Sequence, residues 1–446
     1  MSELTATTSI IQSRRLPLLP EWTMVAGITL LVGLVFLTGE HRWDRSSLKD
    51  YVESAEERAI AAVSGNDLRR IAFLAIGGAG LGLLLIGRRM PALREPMGLA
   101  LVLACVWTFA SVLWADSTSF TIKRLLLMTL CMGGTIGISS ALSLRQLAIV
   151  LLSVSSSYLI LGVVAEVLQG NFRPWAGGYR FAGTLHPNAQ ATNCGAMALA
   201  ALALWQRRAT DRTKRRLLFR QLMGCVFCVA VCCLLLTKSR TAAAAIITVL
   251  GLIWATRQKL GLNLILAGLG LLAILSLCFA LSVMGGGDSV GEAANMGRAD
   301  SQGAFNGRLP IWTTCIDRMG SKIPIGVGYD GFWTPDRIED ISWEIGWSIS
   351  SVHSEYIELV LGLGVIGLLL YVAAQGGALL WFWLRYFRLG TGGDAMIFGL
   401  LLIGAVQGFM ETGYLHPNAL VPFLTLTGML RLAFFTDRAT AWQGAI

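Results

Sequence analysis

Apolar runs of membrane-spanning length recur along the whole chain, separated by short polar segments. Each run has about 17 to 25 residues, the length of α-helix that crosses a hydrocarbon core about 30 Å thick. The pattern therefore predicts an all-α polytopic membrane protein of about twelve transmembrane helices. They lie near residues 22–38, 71–87, 97–114, 124–142, 146–168, 188–205, 219–236, 240–256, 260–283, 356–384, 395–413 and 418–435.

An even number of spans places both termini on one side of the membrane, and the basic residues identify that side. Cytoplasmic loops carry an excess of Lys and Arg, so we expect both termini in the cytoplasm. The net charge of +9 then reflects topology, and we expect no nucleic-acid partner. The basic residues on this side are Arg88, Arg89, Arg94, Arg207, Arg208, Arg212, Lys214, Arg215, Arg216, Arg257, Lys259, Arg385 and Arg388.

The same topology divides the chain into three parts. Residues 1–283 hold helices 1–9, with an amphipathic segment near 44–63 on the side opposite the cytoplasm, where apolar side chains recur at helical spacing. Residues 284–355 form a large loop on that same outer side, before the tenth helix. Residues 356–446 hold helices 10–12 and a cytoplasmic tail. Arg14 and Arg15 precede the first run without a cleavage site after it, so we expect that helix to be retained.

The composition agrees with a membrane protein. Hydrophobic residues make up 54% of the 446 residues and charged residues 14%, against about 25% charged residues in soluble domains. Most of the nine cysteines lie inside apolar runs, where cysteine behaves as a small hydrophobe. We therefore expect neither a disulfide framework nor a metal site, and no cofactor.

Arginines near the outer ends of the spans indicate an anionic ligand. Charged side chains near a bilayer are costly, and the guanidinium groups of Arg180, Arg240 and Arg308 match the geometry of a pyrophosphate. A lipid pyrophosphate would fit such a site. Each of two arginines also has an explanation without a ligand. The side chain of Arg240 would extend to the lipid headgroups at the membrane interface, and Arg308 would be an ordinary charged residue of a loop.

Histidine supplies the candidate base. His353 lies where the long loop enters the tenth helix, whose positive end favours a neutral imidazole that can accept a proton. The alternative is that His353 only caps the helix. A His-Pro-Asn tripeptide occurs twice, at His186 to Asn188 and at His416 to Asn418. Either these residues belong to the site, or the prolines simply start helices.

Aromatic residues on the outer side indicate carbohydrate. Indole and phenol rings offer flat apolar faces to sugars while their polar tips stay wet. The alternative is an aromatic belt at the membrane interface. The rings are Trp175, Tyr179, Trp312, Tyr329, Phe332, Trp333, Trp343 and Trp347.

Four motifs together resemble the O-antigen ligase and polymerase superfamily. They are Ser-Arg-Thr at 239–241, Asn-Gly-Arg with a following Trp at 306–312, Gly-Val-Gly-Tyr at 326–329 and His-Ser-Glu-Tyr at 353–356. The resemblance covers about residues 170–435. It implies a GT-C-like, metal-independent, inverting glycosyltransferase that moves a glycan from undecaprenyl pyrophosphate to an acceptor sugar hydroxyl.

The resemblance also implies roles for individual residues. Arg240 and Arg308 would hold the pyrophosphate, His353 would activate the acceptor hydroxyl, and Arg180 would be a supporting donor contact. The motifs add substrate-binding candidates, namely His186, Asn188, Trp312, Tyr329, Glu355 and Tyr356. The chain departs from the family pattern at Ser354, where relatives often have asparagine.

The superfamily contains polymerases, which lengthen a glycan on its lipid carrier, and ligases, which transfer it to lipid A-core. The segment Phe-Ala-Gly-Thr-Leu-His-Pro-Asn at 181–188 resembles exopolysaccharide polymerases and favours the first. A transporter or flippase and a scaffold of an export complex remain alternatives from other classes. Expected partners are the lipid-linked donor, a glycan or lipid A-core acceptor, membrane lipids and a possible chain-length regulator.

Overall fold

The computed structural model describes residues 20–41, 56, 67–87, 91–93, 95–176, 178–206, 214–258, 308–413 and 416–435. The predicted span at 260–283 lies outside these residues, as does the predicted amphipathic segment near 44–63 apart from Glu56.

The described part of the chain is helical and contains no strand. Among the described residues, eight helices are long and apolar enough to cross a membrane: α1 to α5, α7, α8 and α11. The described part of the chain agrees with a helical polytopic membrane protein, whereas the count of twelve spans and the GT-C architecture stay predictions. The α-helices are α1 Glu21–Glu40, α2 Asp67–Gly87, α3 Pro96–Ala110, α4 Thr118–Ala141, α5 Leu144–Leu168, α6 Pro187–Trp205, α7 Lys214–Leu236, α8 Arg240–Arg257, α9 Arg308–Asp317, α10 Pro335–Ile345, α11 Glu355–Leu389, α12 Gly392–Gln407 and α13 Leu420–Phe434.

Contacts between loops define two ends of the bundle. At one end the backbone N–H of Leu420 donates to Glu40, and His41 lies 2.5 Å from the hydroxyl of Thr184. At the other, Arg431 of α13 donates to the last carbonyls of α4, at 3.0 and 3.2 Å. The loops at the first of these two ends are the ones that the sequence predicts to lie outside the cytoplasm. We therefore call this end of the bundle the outer end.

Helix α11 is broken at Gly364, ten residues from its start, where φ is 71° and ψ −176°. The segment Lys322 to Gly328 fills the break and bonds the backbone groups that a continuous helix would pair with each other. A Cβ at Gly364 would lie 2.2 Å from the carbonyl oxygen of Pro324, so this position requires glycine. The bonds are Val327 N to Leu361 O (3.0 Å), Gly328 N to Gly362 O (2.9 Å), Val365 N to Ile323 O (3.0 Å) and Ile366 N to Pro324 O (3.2 Å).

Residues 308–354, within the predicted large loop, fold into α9, a short 3-10 turn at Gly320–Lys322 and α10. Their own small apolar core includes Ile311, Cys315 and Ile341, each 0% exposed. This unit docks on the α3–α4 end through Asp116, whose carboxylate accepts from Lys322 and, at 2.6 Å, from Arg337. Burial raises the pKa of Asp116, but the two cations outweigh it and hold that pKa below its usual value.

Two helix boundaries at the outer end differ from those that the pattern predicts. Helix α12 ends at Gln407 rather than near 413, and just beyond it the backbone N–H of Glu355 donates to the carbonyl oxygens of Gly408 and Glu411, at 2.8 and 3.2 Å. Helix α13 begins at Leu420, so the second His-Pro-Asn does not open it. The Glu40 carboxylate meets the Leu420 amide and fixes that start.

Candidate functional site

The site is built around residues 408–413, the loop that follows α12, which we call the central loop. Glu355, 1% exposed, holds it from the first turn of α11. The Glu355 amide donates to this loop as described above, and its carboxylate accepts from the Gly413 amide at 2.5 Å. The predicted site residue Glu355 is therefore the internal support of this loop.

Arg308, the first residue of α9, lies against the central loop. One guanidinium nitrogen donates to the carbonyl oxygen of Met410, and the other to Glu411 Oε1 at 3.1 Å. The side chains of Arg308 and Glu411 are only 16% and 17% exposed. The fork of Arg308 thus spans two acceptors at once, a geometry that lysine lacks.

Glu411 also joins Arg308 to the first His-Pro-Asn motif. The side-chain amide of Asn188 donates to the same Glu411 oxygen at 2.6 Å, and Arg180 donates to Asn188 Oδ1 at 3.4 Å. Burial raises the pKa of Glu411, although Arg308, Asn188 and Arg180 all act to lower it. The structure therefore brings Arg180, Asn188 and Arg308 together through one buried carboxylate.

Glu166, at the end of α5, orders the segment that carries Arg180. Its carboxylate accepts from the hydroxyl of Tyr179 at 2.6 Å and from the amides of Ala182 and Gly183 at 3.0 and 2.7 Å. Because both flanks of Arg180 are tied to the 4% exposed Glu166, the direction of the arginine is fixed.

Arg180 also reaches the turn between α7 and α8. Its Nε donates to the carbonyl oxygen of Thr237 at 3.2 Å, and the next residue, Phe181, donates from its amide to Leu236 at 2.9 Å. Arg240, three residues beyond Thr237, is the first residue of α8. The turn that Arg180 contacts thus leads directly into the first residue of α8, Arg240.

His353 lies in the turn before α11 with its backbone in the left-handed region, at φ 51°. Hydrogen bonds hold both backbone groups of the preceding residue, Val352. Trp312 Nε1 donates to the carbonyl oxygen of Val352 at 2.8 Å, and the Val352 amide donates to Glu358 at 2.9 Å. Trp312 lies one helical turn after Arg308 on α9, so the same short helix positions both the arginine and the histidine.

The remaining predicted residues have supporting contacts at the outer end. His186 caps α6, with its Nδ1 accepting from the Asn188 amide at 3.3 Å. The Tyr356 hydroxyl donates to the carbonyl oxygen of Ala405 at 2.8 Å, which ties α11 to α12. Tyr329 pairs with His416 Nδ1 at 2.8 Å, and burial raises its pKa. This last contact gives the second His-Pro-Asn motif a packing partner.

A large apolar cavity lies among α3, α4, α11, α12 and α13. Its volume is about 540 Å³, and it extends from Tyr329 and Pro417 at the outer end to Phe434 at the other end of the bundle. Its walls are aliphatic and aromatic side chains such as Leu101 and Met132. Such a cavity suits a long apolar chain rather than a polar solute.

Glu411, Glu166 and Glu358 organise the site, yet sequence reasoning gave none of them a role. The available signal was their charge close to span ends, which is costly in a membrane unless the group has a partner. That signal identifies such residues as important. It does not identify their partners, and those of Glu411 lie 103 and 223 residues away in the sequence.

The comparison with protein families agrees with the motifs. Residues 223–372 match the family model described as O-antigen ligase, which confirms the resemblance to the O-antigen ligase and polymerase superfamily. The match covers about a third of the chain and includes Arg240, Arg308 and His353. No curated protein matches the chain.

Proposed function

We propose that the protein, which carries this O-antigen ligase region, is a glycosyltransferase of the bacterial inner membrane. It transfers a glycan from undecaprenyl pyrophosphate to an acceptor sugar hydroxyl at the periplasmic face, with both termini in the cytoplasm. The observation that carries the proposal is that Arg308 contacts the central loop directly and Arg180 reaches it through Asn188. The His353 turn also contacts this loop, because the hydroxyl of Thr412 donates to that of Ser351 at 3.5 Å. Anion-binding groups and a candidate base then share one polar region at a membrane surface.

The arginines would hold the pyrophosphate of the donor. Arg308 presents two nitrogens in a fixed plane, and Arg180, in the segment before α6, and Arg240, at the start of α8, add positive charge. Glu411 pairs with Arg308. Because burial raises the pKa of Glu411, this residue takes up a proton more readily than an ordinary glutamate. The positive charge of Arg308 would then be available to bind the pyrophosphate of the donor.

His353 would act as the general base. It lies at the positive end of α11, which favours the neutral imidazole. The acceptor hydroxyl would attack the anomeric carbon while His353 accepts its proton. The bond to the pyrophosphate oxygen breaks, and its electron pair leaves with undecaprenyl pyrophosphate. Attack opposite the leaving group inverts the anomeric centre, and the arginines stabilise the charge on the departing oxygen without a metal.

The donor's polyprenyl chain is assigned to the apolar cavity among α3, α4, α11, α12 and α13. The cavity begins at Tyr329 and Pro417, on the same end of the bundle as the central loop. Apolar walls would hold a hydrocarbon chain while the headgroup stays at the polar end.

We favour the polymerase over the ligase on the Phe-Ala-Gly-Thr-Leu-His-Pro-Asn segment. A transporter would be expected to have broken helices around a polar pathway. Helix α11 is broken, but the Lys322 to Gly328 segment bonds the freed backbone groups at residues 361, 362, 365 and 366. The break is therefore a packed junction, which favours an enzyme.

The test is incubation of purified full-length protein with undecaprenyl pyrophosphate-linked repeat units, with and without lipid A-core, followed by gel analysis. A ladder without added acceptor indicates a polymerase, and a single shift that requires lipid A-core indicates a ligase. No product in either condition, together with movement of the labelled lipid across liposomes, would overturn the proposal in favour of transport.

A further inference from the structure

A concave surface on the 308–354 unit lies apart from the central loop. It has a volume of about 670 Å³, and we call it the indole cleft. Two tryptophans and a set of polar groups border it. The lining residues are Arg318, Glu339, Asp340, Ser342, Trp343, Glu344, Gly346, Trp347 and Ser348.

The two indoles are unusually exposed. Trp343 is 88% exposed and Trp347 45%, although burial of an indole is favourable. Gly346, the residue after α10, is in the left-handed conformation, at φ 82°, and the chain then turns so that Trp347 lines the same cleft as Trp343. The flat faces of two neighbouring rings are the kind of surface on which sugar rings pack.

The polar groups of the cleft are hydrogen-bond acceptors in excess. Arg318 is held by Glu344 at 2.7 Å and lies 3.9 Å from Asp340. Sugar hydroxyls would donate to the exposed carboxylate oxygens of Glu339, Asp340 and Glu344. The surplus of carboxylates disfavours anionic ligands.

The indole cleft is connected to the His353 turn by the chain itself. The Ile349 amide donates to Ser342 Oγ of α10 at 2.9 Å, which fixes the start of the connection. Trp312 and Glu358 fix its other end at Val352. Five peptide steps separate Ser348 from His353, so the two lie within roughly 18 Å. An oligosaccharide of a few residues covers that distance.

We propose that the indole cleft binds uncharged sugar residues of the acceptor glycan, several residues away from the hydroxyl that reacts. This inference rests on the proposed function for the role of the glycan as acceptor. It adds a second contact with the substrate, which selects glycans long enough to reach from His353 to Trp343. It also predicts a preference for neutral residues over uronic acids.

A membrane surface is the competing occupant, since tryptophans also favour bilayer interfaces. The charge of the cleft argues against it. The lining contains one cation, Arg318, and three carboxylates, those of Glu339, Asp340 and Glu344. Anionic lipid headgroups repel a surface with such an excess of carboxylates.

The experiment measures binding rather than transfer. Full-length protein in nanodiscs is titrated calorimetrically with lipid-free fragments of the surface polysaccharide of the organism that encodes the chain, one to four repeat units long. Trp343→Ala and Trp347→Ala should each weaken binding of the longer fragments roughly three- to tenfold, because one stacking ring is lost. Trp22→Ala is the matched control, since Trp22 is 62% exposed but lies in the first turn of α1 and does not line the cleft.

Equal affinities for Trp343→Ala, Trp347→Ala and the control would overturn the inference. Stronger quenching of tryptophan fluorescence by brominated lipids in the wild-type protein than in Trp343→Ala would also overturn it, because that result places the Trp343 indole in the bilayer. Weaker fragment binding in the two variants supports the inference even if the wild-type protein transfers no glycan. Failure of the proposed function is therefore distinguishable from failure of the cleft.

Discussion

Replacement of Arg308 by lysine keeps the charge but removes the fork. Arg308 donates from one nitrogen to the Met410 carbonyl and from another to Glu411 at 3.1 Å, whereas a single ammonium group cannot occupy both positions. A hydrogen bond to a charged partner contributes about 1.5–3 kcal/mol, and at 16% exposure solvent replaces little of it. We therefore expect kcat/KM for the lipid-linked donor to fall roughly ten- to hundredfold.

The assay follows initial rates of product formation against donor concentration for purified wild type, Arg308→Lys and Arg173→Lys. Arg173 is an exposed arginine in the segment after α5 and serves as the matched control. Thermal unfolding of all three proteins checks that the fold is intact. An Arg308→Lys enzyme with the wild-type kcat/KM and donor affinity would refute the role of the guanidinium fork.

Three further predictions concern the framework of the site. Gly364→Ala should lower the thermal unfolding midpoint, because alanine in that backbone region costs about 1–3 kcal/mol and its Cβ would meet a carbonyl oxygen at 2.2 Å. Gly376→Ala, in the same helix with nothing within 4 Å, should not. Asp116 has a folded-state pKa below its ordinary 3.8, so its ion pairs stabilise the fold above that pH and are lost in acid. Denaturation of Asp116→Asn should show a stability deficit of about 1–2 kcal/mol at neutral pH that disappears as the pH falls through the folded-state pKa. Trp312→Phe removes the hydrogen bond that fixes the peptide before His353, and rate measurements should show a kcat about three- to tenfold lower with an unchanged donor KM.

The transmembrane pattern of the sequence identified the helices well, because their apolar side chains contact one another or lipid along a whole span. In the described residues the loops at Glu40 and Leu420 contact each other at one end of the bundle, and the sidedness of the loops stays a prediction. At α12 the structure differs from the pattern, because the apolar residues Phe409 and Met410 continue the hydrophobic pattern into the central loop. The helix ends at Gln407, where the central loop accepts a hydrogen bond from Glu355, more than fifty residues earlier in the chain.

The site was predictable in its residue types but not in its connections. Arg180, Asn188 and Arg308 were recognised as candidates from charge, motif and resemblance, and the structure brings them together. Their common partner Glu411 is 223 residues from Asn188, and no local pattern encodes such a pairing. Glu358 differs, because its contact with Val352 spans only six residues, but that contact forms only through the turn that carries His353.

The most direct test of the account is single-turnover transfer from labelled undecaprenyl pyrophosphate glycan by purified protein, with His353→Ala compared against wild type. Ser350→Ala, an exposed position in the same segment, is the control. If His353 is the general base, wild type and the control should transfer glycan and release undecaprenyl pyrophosphate. The rate for His353→Ala should be about 10²- to 10⁴-fold lower. A wild-type rate in His353→Ala would contradict the assignment of the general base, and absence of transfer by the wild-type protein would contradict the proposed activity itself.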